Sequence, residues 1–147
     1  MNTVSRILAG LLTVAVCGCS EHESCQGLTF ASAEELNVFQ KEVATLGFRG
    51  GGHADGDMTD AQGIGYAVAG YGNAGEYEGL KTEVAIRIFT PSDASRQPIE
   101  RSALIRCWSR SKTKADATSL RLKNEIERRV KEKMANSKKL SVRRSAH

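Results

Sequence analysis

The sequence predicts an α+β domain: an N-terminal helix, an antiparallel sheet of three to four strands and a long basic C-terminal helix. Three observations predict it. A capped amphipathic stretch occupies residues 32–47, a strictly alternating stretch occupies residues 81–90, and an apolar stripe spaced by four begins near residue 118. Helical and strand periodicities in one short chain call for helices laid on one face of a sheet.

The first helix is the best specified. Ser32-Ala-Glu-Glu35 is a capping box, in which the serine oxygen satisfies an orphan backbone N–H and Glu35 reaches back toward the cap. Leu36, Phe39, Val43 and Leu46 follow on one helical face. Gly47 is placed to end the helix in the left-handed conformation, with Phe48 packing back on Val43.

Residues 47–79 contain 11 glycines in 33 positions. Such a stretch is entropically costly to order, and it reads as glycine-rich turns joining short strands at Ile64–Ala69 and Tyr77–Leu80. Beyond it, Thr82, Val84, Ile86 and Ile88 alternate with Glu83, Ala85, Arg87 and Phe89, as in a half-buried strand. Pro91-Ser-Asp93 ends that strand, and a polar loop runs to Pro98. Residues 99–109 fit two readings. Alternation of Ala103, Ile105 and Cys107 with Leu104, Arg106 and Trp108 favours a strand over 102–109, while Pro98 and Glu100 would suit a helix start.

Asp116 or Thr118 can cap the last helix, which the pattern carries to about Asn136. Leu122, Ile126, Val130 and Met134 form its stripe, and Glu125–Arg129 and Glu127–Lys131 are helix-supporting pairs. The sheet face bearing Val84, Ile86 and Ile88 is expected to meet Leu36, Phe39, Val43, Ile126 and Val130. Residues 137–147 are expected to be a flexible basic tail.

Charge is unevenly distributed. Residues 20–111 carry 8 basic and 13 acidic groups, whereas residues 112–147 carry 12 basic and 4 acidic. The body is mildly acidic and its C-terminal end strongly basic. Arg128, Arg129, Lys131, Lys133, Lys138 and Lys139 are the candidate binding residues, toward a partner protein or an anionic envelope surface. The competing reading is a solvated helix face. Aromatic side chains to stack on bases are missing from this segment, which disfavours nucleic acid.

The N-terminus reads as an address. Met1–Arg6 carries one positive charge, and Ile7–Val16 is an uncharged run of ten, too short to span a bilayer as a helix. It ends in Val16-Cys17-Gly18-Cys19-Ser20, which resembles the lipobox of bacterial lipoproteins, with an aliphatic residue at −3, glycine at −1 and cysteine at +1. Cys17 stands at −2, where that family carries a small residue. The resemblance implies a signal peptide over 1–18, cleavage before Cys19, and lipid on Cys19 as a membrane tether. Ser20, rather than aspartate, implies the periplasmic face of the outer membrane. An ordinary secretory signal cut after Gly18 is the alternative. Residues 19–29 then form the lipidated cysteine and a short stalk, and residues 30–136 a single domain.

Of the four cysteines, cleavage removes Cys17 and lipid consumes Cys19. Cys25 and Cys107 remain, either as one disulfide in an oxidising compartment or as two separate thiols. His53, Asp55 and Asp57 are the strongest metal-ligand candidates, with Asp60 close behind. They match a calcium loop poorly, because Asp60 occupies the required glycine position and no glutamate closes the loop. No cofactor is implied. A G-x-G-x-x-G fingerprint fails at Val68, no nucleophile elbow accompanies His53, and no CxxC is present. The functional expectation is a non-enzymatic, membrane-tethered envelope protein that binds a partner. A small-ligand or metal-binding protein using the glycine-rich loop is the alternative.

Overall fold

The computed structural model describes residues 20–93 and 99–144. The α+β class holds, with two helices and one fully antiparallel sheet. The strands number five rather than three to four, and one of them precedes the first helix. In chain order the elements are β1 (His22–Thr29), α1 (Ala33–Thr45), β2 (Arg49–Thr59), β3 (Gly65–Tyr77), β4 (Leu80–Pro91), β5 (Glu100–Ser109) and α2 (Lys112–Arg144). The sheet order is β1-β5-β4-β3-β2.

β1 replaces the expected stalk. Its eight residues pair with β5 from His22↔Ser109 to Thr29↔Ser102. The segment reads as a polar linker because two of its inward residues are polar. Ser24 is buried against Ser119, with hydroxyl oxygens 2.9 Å apart, and the Gln26 amide donates to Ser119 at 3.4 Å. A buried hydroxyl with a partner costs little, so a polar strand can close the sheet.

α1 forms where the pattern puts it. Ser32 Oγ accepts from the Glu35 N–H at 3.1 Å. Glu35 reaches back one residue further than expected, accepting from the Ala31 N–H at 2.9 Å. Gly47 adopts φ +93°, and the Phe48 N–H bonds to the Val43 carbonyl, which closes the helix.

The glycine-rich segment is corrected from turns and short strands to two long strands of 11 and 13 residues. β2 and β3 pair from Arg49↔Ala74 to Thr59↔Gly65, with a bulge between Gly50 and Gly52. Asp60 makes their turn, its Oδ1 accepting from the Gln62 and Ile64 N–H groups at 2.9 and 2.8 Å. The β3–β4 turn has two residues, Glu78 and Gly79, both at positive φ, as a type I′ hairpin requires. Residues 77–80, expected as a strand, therefore hold a turn.

β5 settles the ambiguous region as strand. α2 starts at Lys112, because Ser111 Oγ accepts from the Lys114 N–H at 3.3 Å and caps the helix five residues ahead of Asp116. It continues through residue 144, so the expected flexible tail is helical over 137–144; residues 145–147 lie outside the described residues.

Both helices cover the same face of the sheet, over β1, β5 and β4. Core residues are Leu36, Phe39, Val43, Val84, Ile86, Ile105, Leu122 and Ile126, all nearly inaccessible. The expected contact set is in place, with Ile88 and Met134 only partly buried at its rim. At the β2 edge the cover ends, and all eleven β2 residues are exposed.

Candidate functional site

The register decides the fate of the two cysteines. Cys107 lies opposite Ser24, and Cys25 opposite Arg106. Side chains alternate across a strand, so the thiols point to opposite faces of the sheet. Cys107 is buried against Thr82, Cys25 is exposed beside Glu23, and both are free. The expected disulfide is thus corrected. Burial pushes the thiol pKa of Cys107 up, and desolvation together with the Glu23 carboxylate does the same for Cys25. Raised thiols are poor nucleophiles.

His53, Asp55 and Asp57 fall on β2, at alternating positions and hence on one face. His53 Nε2 meets Asp55 Oδ1 at 2.9 Å, and its ring stacks on Tyr71 with centroids 4.7 Å apart. Asp60 is turned into the β2–β3 turn, where its other oxygen accepts from Tyr66 at 3.3 Å. Among the described residues no three ligand-type side chains converge as a metal site would need. An extended strand spreads alternate residues about 6–7 Å apart, whereas a metal loop must curl. A shallow groove of about 400 Å³ lies on the opposite, open face of the sheet, floored by Gly52, Ala54, Gly70, Gly72 and Ala85, which alternate with or pair beside those residues. Its polar rim is sparse, with Glu83 and Arg87 on one side.

The basic helix divides in two. Along its packed part the charges are used internally. Arg128 donates to Glu125 at 3.0–3.2 Å and to Glu132 at 2.7 Å. Arg129 donates to Glu125 at 2.7 Å and lies 3.7 Å from Glu42. These arginines, first Arg129 and then Arg128, hold the Glu125 carboxyl below the usual carboxylate range. Arg128 and Arg129 are therefore paired within the chain, Arg129 reaching across to α1 through Glu42. Lys131, Lys133, Lys138 and Lys139 stand beyond Val130, the last fully packed residue, and all four are exposed. Of the six candidates, the four lysines lie on the part of α2 beyond Val130 and the two arginines on the part packed against the body.

Two features of the site region escape sequence reading. The first is a clamp at the β3–β4 turn, where Glu78 accepts from Arg121 and Thr118. Arg121 holds the Glu78 carboxyl low, and Glu78 raises Arg121 in turn. A non-glycine residue at φ +50° was its only local signal, and that is invisible in a sequence. The second is the open sheet face, where Arg106 bonds Glu83 at 3.3 Å and Lys81 sits 5.1 Å over the Trp108 ring. The alternation of β4 and β5 contained that signal.

Cys19 and the proposed signal peptide lie outside the described residues. Among the described residues no helix is long and apolar enough to cross a membrane. Comparison with known proteins finds no matching family model, no matching curated sequence and no matching solved structure.

Proposed function

We propose that this chain is a non-enzymatic accessory lipoprotein of a bacterial envelope, tethered through Cys19 on the periplasmic face of the outer membrane and holding a partner with the C-terminal arm of α2. One observation carries the reading. α2 has its last full packing contact at Val130, yet it continues as helix to Arg144. Fourteen residues of helix extend the body by about 21 Å. A free segment of that length is marginal in water by itself, and here the packed part of α2 supplies the nucleus. Lys131, Lys133, Lys138 and Lys139 are exposed along it, and cations toward a helix C-terminus suit the negative end of its dipole. A cationic helical extension is the form expected of an element that contacts something outside its own fold.

The tether and the arm stand at opposite ends. β1 starts at His22, three residues after Cys19, and Ser24 packs on Ser119. Its far end, at Leu28 and Thr29, lies by Val130 and Lys131. α2 therefore runs alongside β1 and continues past it, away from the tethered end.

The test has two arms. Mass spectrometry of the mature N-terminus should find a lipidated Cys19, and Cys19→Ser should move the protein out of the membrane fraction. A photocrosslinker at position 133 should yield an adduct that the same probe at position 114 does not. Converting Lys131, Lys133, Lys138 and Lys139 to glutamine should abolish that adduct. A membrane-bound Cys19→Ser variant would sink the tether, and an adduct indifferent to the four lysines would sink the arm.

A further inference from the structure

The outer edge of β2 is the most exposed regular element in the molecule. Among the described residues β2 pairs only with β3, and all eleven of its residues are exposed. Edge strands are ordinarily guarded by proline, lysine, short length or a bulge. β2 contains neither proline nor lysine and is long; its guards are the bulge at its Gly50 end and the charges of Arg49, Asp55 and Asp57, so an approaching strand must answer the two carboxylates. From Gly52 to Thr59 its register with β3 is unbroken.

We infer that this edge pairs antiparallel with the β2 edge of a second copy of the chain, about a twofold axis through Ala54. Two arguments select this occupant. The first is register. In a continuous sheet, residues facing one another must lie on the same face, so a self-paired strand can be centred only on a residue. Centring on Asp55 sets Asp55 against its own copy. Centring on Gly56 sets Asp55 against Asp57 twice. Centring on His53 leaves both aspartates without an opposite charge, except where Asp57 would meet Arg49 across the bulge. Centring on Ala54 places His53 opposite Asp55 of the second copy, twice, with Gly52 opposite Gly56 and Ala54 opposite Ala54. Centring on Asp55 likewise pairs His53 with Asp57 twice, but it sets Asp55 against its own copy. The Ala54 register is the one within the unbroken part of the strand that joins His53 to a carboxylate without directly opposing two carboxylates. Opposite charges facing across strands stabilise a pair, and like charges oppose it. His53 already reaches Asp55 of its own strand at 2.9 Å, so the two side chains share a face and lean together. Pairing closes them into a four-membered ring in which imidazoles and carboxylates alternate.

The second argument is the placement of charge. An isologous contact brings the same surface of each copy together, so a strongly charged surface excludes itself. The basic helix packs on β1 and β5, and β5 is three strand spacings, about 14 Å, from β2. Pairing at β2 therefore keeps the two cationic helices on the outside of a ten-stranded sheet. The glycines contribute as well, since Gly52 and Gly56 present no side chain that would obstruct an approaching backbone.

Cysteine crosslinking tests the pairing on the full chain, both in membranes and purified in detergent, so it does not depend on the tether. In a Cys25→Ser background, copper-catalysed oxidation of Ala54→Cys should give a disulfide dimer in at least tenfold higher yield than Thr59→Cys. In this register, position 59 of one copy lies about 33 Å from position 59 of the other. Adding His53→Asp should cut the Ala54→Cys yield at least tenfold, and the swap His53→Asp with Asp55→His should restore it. Equal yields at 54 and 59 would mean random collision and overturn the pairing. A dimer by mass that does not crosslink at 54 would place the interface elsewhere and overturn it too, as would a monomer throughout.

Discussion

The sheet has two halves built from different residues. β4 and β5 alternate β-branched or apolar residues with polar ones, lie under two helices, and hold most of the strand residues that are fully buried. β2 and β3 are rich in glycine and alanine, and among the described residues no helix lies over β2, which is exposed throughout. The first half has side chains to bury, so hydrophobic burial holds it. The second has few, and it rests on the hydrogen-bond ladder it makes with its neighbour. Stability belongs to one half and an unoccupied backbone edge to the other.

The comparison breaks if a truncation in the covered half is cheap. Phe39 is fully buried between Phe30 and the sheet, with ring centroids 4.7 Å apart in that pair. Phe39→Ala should cost about 3–5 kcal/mol, read from urea unfolding. Ser119 sits at the join of β1 and α2. Ser119→Ala removes the hydroxyl that Ser24 and Gln26 share, leaving Ser24 its bond to the Asp116 carboxyl, and should cost about 0.5–1.5 kcal/mol.

One substitution made at two glycines, one of β3 that meets the core and one of β2 that does not, sharpens the contrast. A Cβ at Gly75 would lie 3.0 Å from Phe48 Cδ1, in the buried rim of the core, whereas one at Gly56 meets nothing within 4 Å. Gly75→Ala should destabilise by about 1–3 kcal/mol. Gly56→Ala should stabilise by up to about 1 kcal/mol, because it restricts the unfolded chain. Opposite signs in thermal unfolding confirm the division; equal signs remove it.

The smallest effect is on pH. Arg121 lowers the Glu78 carboxyl, Arg129 and Arg128 lower Glu125, and Lys112 followed by Ser24 lowers Asp116. A carboxyl depressed in the folded state contributes stability above its unfolded pKa and loses it as pH falls through the folded value. Unfolding midpoints should therefore be flat above the carboxylate range and decline below it. Glu78→Gln should flatten the decline. These groups are exposed, and salt should weaken the effect.

The same division explains what could be read from the sequence. α1, β4 and the core residues of α2 were legible because periodic apolar residues announce them, and the class followed. β1 was not, since Ser24 and Gln26 face inward and find their partner, Ser119, 95 and 93 positions away. β2 was not, since its residues have little strand preference and take extended form by pairing with β3. The binding set was half legible. Lysines past Val130 stand free of the core, but the pairing of Arg128 and Arg129 with Glu125, Glu132 and Glu42 depends in part on α1, which no local spacing reveals.

β1 has one more consequence, which is mechanical. If the chain is held at Cys19 and a partner pulls on the arm, the load enters β1 at His22 and leaves along α2, which runs beside it in the same direction. That tension slides β1 lengthwise against β5, so all eight paired positions from His22 to Thr29 resist together and none is peeled in turn. A strand loaded in shear yields at far higher force than one unzipped from its end. The segment that resembled a slack linker is the coupling through which the anchor and the arm would bear on one another.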